Sequence, residues 1–182
     1  VCDVNPAFLD SARKKLPGII TTHTDVSNEA QVAEMFQNIA RDWGGLDVLI
    51  NNAGIAGPTA AVEDTPLEEW NQTIAVNLTG VFLCTKHAVP LLKKAGGGSI
   101  VNISSAAGRL GFPLRTPYSA SKYGVVGLTE TWAMELGPSR IRVNAVLPGI
   151  VSGERQERVI AAKAAALGLE HEAMRERLLS KV

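Results

Sequence analysis

The sequence predicts an α/β fold, a doubly wound parallel sheet with helices on both faces, and three observations predict it. Short apolar runs bounded by glycine turns recur at 46–50, 99–104 and 141–147, the pattern of strands buried on both sides. Longer helical patterns lie between them, at 67–95 and 117–137, each opening at a proline, Pro66 or Pro117. Each strand also ends on a cluster able to carry chemistry: Asp3, Asp25, Asn51-Asn52-Ala53-Gly54, Ser104-Ser105 and Pro148-Gly149. Strand–helix alternation at this rhythm implies a parallel sheet. In such sheets ligands bind outside the carboxyl ends of the strands, where these clusters fall.

Taken in order, Val1-Cys2-Asp3 reads as the tail of a buried strand. A helical segment over 6–15 follows, with Asp3 or Asn5 as its N-cap. Residues 18–24, rich in Ile and Thr, form a weaker strand. The next helix covers 28–43, capped by Ser27 with Asp25 ahead of it. Gly44-Gly45 leads into the 46–50 strand, and Gly96-Gly97-Gly98 into the 99–104 strand. Pro148-Gly149 closes the 141–147 strand, and 152–182 is charged, alanine-rich and helical. The chain opens without methionine and stops inside an amphipathic pattern, so it reads as cut at both ends.

Composition narrows the class. With 182 residues and 46% hydrophobic content, the chain can bury one core and reads as one domain over 1–182. Eighteen basic residues balance eighteen acidic ones without a run of one sign, which argues against nucleic acid or an anionic membrane as partner. Cys2 and Cys84 read as reduced thiols, and His23, His87 and His171 show no metal-ligand spacing. The apolar runs read as too short and too interrupted to span a bilayer, and no signal peptide is visible. A cytoplasmic location is the expectation.

Tyr118 and Lys122 stand one helical turn apart, with Ser105 thirteen residues upstream at a strand end. A phenol, with a reference pKa of about 10, is a poor proton donor or acceptor at neutral pH. A lysine at i+4 shares its helix face, and the ammonium charge stabilises the phenolate form. A serine hydroxyl beside the phenol orients a substrate oxygen and steadies charge developing on it. The pair alone is weak evidence; as plain residues, Tyr118 would pack on the sheet and Lys122 would face water.

Five motifs together carry a resemblance. Asn51-Asn52-Ala53-Gly54, Val76-Asn77-Leu78-Thr79-Gly80, Asn102-Ile103-Ser104-Ser105, Tyr118-Ser119-Ala120-Ser121-Lys122 and Asn144-Ala145-Val146-Leu147-Pro148-Gly149 follow one another in order and spacing. The chain resembles the short-chain dehydrogenase/reductase family over nearly its whole length. The resemblance implies a Rossmann-like sheet and a catalytic tetrad of Asn77, Ser105, Tyr118 and Lys122. Ser105 is chosen over Ser104 because the family pattern places the hydroxyl at the second serine. Lys122 would also hydrogen-bond the nicotinamide ribose, and Asn77, at a helix kink, would hold a water linking Lys122 to solvent.

The expected cofactor is NAD, with NADP less favoured. An acidic residue at the end of the strand holding Asp3 bonds the adenosine ribose hydroxyls and repels a 2′-phosphate, and no basic residue lies nearer in sequence than Arg13. The resemblance further implies that Asp25 and the Val26 backbone face the adenine. Asn51, Ala53 and Gly54 lie along the cofactor, and Pro148, Gly149, Ile150 and Val151 receive the nicotinamide end, together with Tyr118 and Lys122. A capping role competes for Asp25, and a satisfied helix-interface role for Asn77.

Two departures stand out. The family's glycine-rich turn, whose backbone N–H groups cradle the pyrophosphate, is not among these residues. A threonine that often contacts the nicotinamide amide is replaced by Gly153, with Ser152 as a partial substitute. The segment 150–182 matches the family's variable substrate lid, with Leu110, Phe112 and Ile150 as expected pocket walls. Arg155 and Arg158 read as a solvated helix face before an acidic-substrate contact. The expected activity is NAD-dependent hydride exchange with a small secondary alcohol or ketone, in a homodimer or homotetramer built on the two long helices. The alternatives are an NADP-dependent 3-oxoacyl-type reductase and a non-catalytic nucleotide-binding relative.

Overall fold

The computed structural model describes residues 1–180. Two parallel strand sets organise it. Strand β1 (Cys2–Asp3) pairs with β2 (Thr22–His23), joined through helix α1 (Pro6–Lys15). Strands β3 (Val48–Asn51), β4 (Gly98–Ile103) and β5 (Ile141–Val146) form the second sheet in that spatial order. Helix α2 (Glu29–Trp43) precedes β3. A long helical stretch separates β3 from β4: α3 (Leu67–Ile74), a π-helical turn (Ala75–Thr79) and α4 (Gly80–Lys94). Helix α5 (Thr116–Leu136) links β4 to β5, and α6 (Glu154–Leu167) and α7 (His171–Leu179) follow.

The alternation and parallel pairing agree with the sequence, but the single expected sheet appears as two pairing groups among the described residues. The 18–24 strand shrinks to Thr22–His23. The cap assignments also shift. Asn28, not Ser27, caps α2 by accepting from Gln31 N, while Asp25 turns the preceding loop by accepting from both Ser27 N and Ser27 Oγ. An Asx turn closed on a serine at i+2 looks in sequence like a helix cap. Asn5 caps α1, and Asp3 in turn accepts from Asn5 N at 2.7 Å.

The core lies between α2, α4, α5 and the three-stranded sheet, where Val32, Phe36, Leu83, Ala88, Leu92, Ile100, Leu136 and Ile141 are buried. Full burial of each large aliphatic contributes about 1.5–3 kcal/mol. The stretch Leu67–Lys94 is, by length and composition, long and apolar enough to cross a bilayer, contrary to the expectation from uninterrupted runs. Its buried Leu83, Cys84, Ala88 and Leu92 build this core. Both cysteines are free, and burial pushes the Cys84 thiol up to about 12.

A buried polar chain crosses the sheet. Asn51 Nδ2 donates to Thr85 Oγ1 on α4 and to Asn102 Oδ1 on β4, and Asn102 Nδ2 donates to Thr129 Oγ1 on α5. Four polar side chains satisfy one another where a lone amide would be costly. Asn102→Ala leaves Asn51 and Thr129 each short of a partner and is expected to destabilise by about 2–4 kcal/mol. Urea denaturation checks this, and a loss below about 1 kcal/mol would mean that the chain is not a cooperative tie.

Candidate active site

Helix α5 starts at Thr116 with Pro117 in its first turn, where an N–H group has no intrahelical partner, so the proline's missing N–H costs nothing and its fixed φ suits the helix start. That start puts Tyr118 and Lys122 on one face, with Tyr118 half-buried and Lys122 only 4% exposed. Lys122 Nζ donates to Ile103 O at 2.8 Å and sits 5.7 Å from the centre of the Tyr118 ring. Burial first, then the charge of Arg155, lower the Lys122 ammonium to about 8. The Tyr118 hydroxyl makes no hydrogen bond to the described residues.

The two serines at the end of β4 separate cleanly. Ser104 is buried, and its hydroxyl donates to Lys122 O, tying the strand to α5. Ser105 is half-buried and its Oγ accepts from Ala107 N at 3.2 Å, which starts a 3-10 turn. Its hydroxyl proton donates to none of the described residues and stays available to a ligand.

Asn77 occupies the centre of the π turn and is fully buried. Single π turns often mark functional positions because they break the regular ladder. Its amide clamps one residue from both sides: Oδ1 accepts from Ile55 N at 2.8 Å and Nδ2 donates to Ile55 O at 3.0 Å. Nδ2 also lies 3.3 Å from Ser121 Oγ on α5. The clamp holds the loop after β3 against the lysine. A Cβ on Gly54 would stand 3.1 Å from Asn77 Oδ1 and 3.7 Å from Lys122 Nζ. Glycine is what allows this backbone approach.

The expected cofactor residues are spread along the same strand ends. Asp3 is half-buried at the end of β1, with one carboxylate oxygen on Asn5 N. Among the described residues it makes no ion pair, and Arg13 is held by Asp10 at 2.7 Å. The Asp25 carboxylate is engaged by Ser27, and Val26 is buried against Gly80. The Asn51 side chain belongs to the polar chain across the sheet. Ala53 is exposed and Gly54 half-buried. Pro148 O accepts from Ala106 N, Gly149 and Val151 are exposed, and Ile150 packs beside α6 and α7.

The terminal segment is two helices, because Gly168 at φ +63° ends α6 in a left-handed turn. Ile160, Ala164, Met174 and Leu178 form a second small core that receives Phe112 and Ile150. Two of the expected pocket walls thus anchor the segment, while Leu110 is 60% exposed. Arg155 and Arg158 line a cavity of about 270 Å³ with Ala56, Gly57, Thr59, Val159 and Ala162, rather than only a solvated face.

One residue escaped the sequence reading. Arg115, at the N-cap of α5, is 2% exposed, and its guanidinium lies 4.8 Å from the Tyr118 ring centre. Arginine is among the residues least often buried, so composition does not mark it. Its place three residues before Tyr118 was the one available sign.

A family model for short chain dehydrogenases matches residues 1–176. The chain belongs to the short-chain dehydrogenase family. It is 53% identical over 130 residues to trans-4-hydroxycyclohexanecarboxylate dehydrogenase of Sinomonas cyclohexanicum, covering 71% of this chain and 49% of that protein. To a 3-oxoacyl-[acyl-carrier-protein] reductase of Thermotoga maritima it is 42% identical over 161 residues, covering 86% of this chain and 65% of that protein. This member of the family therefore spans about half to two-thirds of the length of those relatives. The structure of NAD+-bound xylitol dehydrogenase superimposes with a TM-score of 0.92 at 31% identity, covering 100% of this chain and 73% of that one. A polyketide ketoreductase with NADPH reaches 0.91 at 33% identity, covering 100% and 72%. The Rossmann-like α/β architecture of the family is shared throughout.

The donor set fits a nicotinamide dinucleotide of the kind those two structures hold. Lys122 Nζ has ammonium donors beyond the one on Ile103 O, and the missing Gly54 side chain leaves the approach to it open. Asp3 keeps one carboxylate oxygen without a protein partner at the far end.

Proposed function

We propose that the whole protein is an NAD-dependent oxidoreductase that interconverts a small secondary alcohol and its ketone, with Tyr118 as the acid–base. The observation that carries this reading is the buried Lys122 ammonium, anchored on Ile103 O beneath the Tyr118 ring. The bound nicotinamide would supply the hydride acceptor or donor; the chain's residues handle the proton. In the oxidation direction the Tyr118 oxygen takes the proton of the alcohol, and in reduction it returns one to the carbonyl oxygen. Lys122, still roughly nine-tenths charged at pH 7 with its value of about 8, stabilises negative charge on the phenol oxygen. Ser105 donates its free hydroxyl proton to the reacting oxygen. Asn77 is a positioning residue, since both ends of its amide are spent on Ile55.

NAD is favoured by charge. A 2′-phosphate near Asp3 would meet a carboxylate, and Arg13 is already paired with Asp10. The names of the relatives include both dehydrogenases and a 3-oxoacyl reductase, and a reductase using NADP is the second reading. A non-catalytic binding relative has no need of Asn77, Ser105, Tyr118 and Lys122 together. The exposed Phe82 on α4 and Tyr123 and Met134 on α5 suit burial in a homodimer or homotetramer.

Titration of the whole protein with both cofactors tests the assignment: NAD is expected to bind at least about 10-fold more tightly than NADP. The reverse order would overturn the choice of NAD and favour the 3-oxoacyl-type reading.

A further inference from the structure

Arg115 is a charged group placed at unusual expense. It is 98% buried by its 2% exposure, yet no carboxylate of the described residues pairs with it. Of its five N–H donors, one on Nη2 reaches Ala56 O, while the buried Nε has no partner. Burial removes the guanidinium's water without replacing it, and an unpaired buried charge is among the costliest arrangements in a fold. The neighbouring charges make it worse. Arg155 opposes the positive charge of both Arg115 and Lys122. Arg155 itself makes no ion pair among the described residues.

The location is specific. The guanidinium lies between the Tyr118 ring, 4.8 Å away, the Phe112 ring, 5.9 Å away, and the Ala56 carbonyl. Ala56 also lines the cavity of about 270 Å³ that Arg155 and Arg158 border. Arg115 therefore stands beside the acid–base phenol and donates to Ala56, a lining residue of the cavity that Arg155 and Arg158 border. A guanidinium fork is matched by a planar carboxylate, which supplies two acceptors and one negative charge.

We propose that Arg115 is the specificity residue of this site and that it receives the carboxylate of a hydroxy- or oxo-carboxylate substrate whose reacting carbon faces Tyr118. This deepens the oxidoreductase reading and rests on it. Arg155, at the start of the terminal helices, closes over the same anion. The bound carboxylate then provides the counter-charge that the folded chain lacks.

The experiment uses the whole protein with NAD and two matched pairs, 3-hydroxybutyrate and 4-hydroxycyclohexanecarboxylate against their carboxamides. In the wild type, kcat/KM is expected to favour the carboxylates by about 100-fold, mostly through KM. Arg115→Met should lower the carboxylate-to-carboxamide ratio by about that factor, and Arg115→Lys should restore part of it. A ratio that stays near one in the wild type, or that survives in Arg115→Met, overturns the proposal. So does a loss confined to NAD affinity, which would assign the cation to cofactor phosphate. Should Arg115→Met fail to fold, wild-type competition decides: cyclohexanecarboxylate must inhibit at concentrations about 100-fold below cyclohexanecarboxamide, and equal inhibition overturns the proposal. The underlying reading fails separately, if the wild type oxidises neither the acids nor the amides.

Discussion

Tyr118→Phe is expected to lower kcat by about 10²–10⁴-fold while cofactor affinity changes less than about 3-fold. The structure makes this a clean substitution. The phenol oxygen bonds to none of the described residues, so removing it strands no buried partner. The ring stays, and with it the contacts to Arg115 and Lys122. Stability should move by less than about 1 kcal/mol, because the hydroxyl of this half-buried residue has no partner among the described residues and contributes little. Steady-state kinetics and cofactor fluorescence titration measure the two quantities side by side. Turnover within 3-fold of wild type would show that another group carries the proton, and the acid–base assignment would fall.

Lys122→Met should have the second large effect, and its sign differs between activity and stability. Turnover is expected to fall by about 10²–10⁴-fold, because the ammonium charge beside the Tyr118 ring is lost. Stability should behave oppositely. Burial lowers Lys122 from 10.5 to about 8 in the folded chain, so between these values the unfolded chain binds more protons than the folded one. Unfolding free energy then rises with pH across that window. Below about pH 8 both states are protonated and the full burial penalty is present; above about 10.5 both are neutral and it is gone. The difference amounts to at most about 3 kcal/mol. Lys122→Met removes this group's contribution, so the wild-type minus variant difference in stability should climb from pH 7 to pH 10.5. At pH 7 the variant should be at least as stable as wild type, with the lost bond to Ile103 O offsetting part of the gain. Chemical denaturation at several pH values decides it. A flat difference would mean that Lys122 keeps its ordinary titration in the fold.

A lysine buried with a single backbone carbonyl as its hydrogen-bond acceptor is hard to explain by packing alone. Natural chains retain such groups where activity needs them. Arg115 repeats the pattern three residues before Tyr118, with a buried Nε left unpartnered. Two strained cations beside one phenol are a stronger pointer to a site than either is alone.

Much of this was legible in the order of residues. Strand–helix alternation and the proline starts of α3 and α5 follow from local periodicity and backbone restriction, which a sequence carries directly. The i, i+4 relation of Tyr118 and Lys122 is a property of one helix. The preference for Ser105 over Ser104 rests on the family pattern, and the fold adds that the Ser104 hydroxyl is committed to Lys122 O while the Ser105 oxygen accepts from Ala107 N. The cap of α2 falls on Asn28, one residue beyond the Ser27 that the sequence suggests, because the Asp25–Ser27 turn occupies the same short stretch. The chemical role of Asn51 was obscured for a different reason. Its partners Thr85 and Asn102 lie 34 and 51 residues away, beyond any local signal.

Local propensity and spacing thus established an α/β chain with its polar clusters at the strand ends and a Tyr–Lys pair on one helix face. Those are short-range matters, governed by helix period and strand alternation. Burial belongs to the assembled molecule. The lowered Lys122, the clamp of Asn77 on Ile55, the approach of Gly54 to both, and the unpaired Arg115 arise only when distant segments exclude water from the same small volume. Desolvation is a sum over neighbours from the whole chain, and no window of sequence contains that sum.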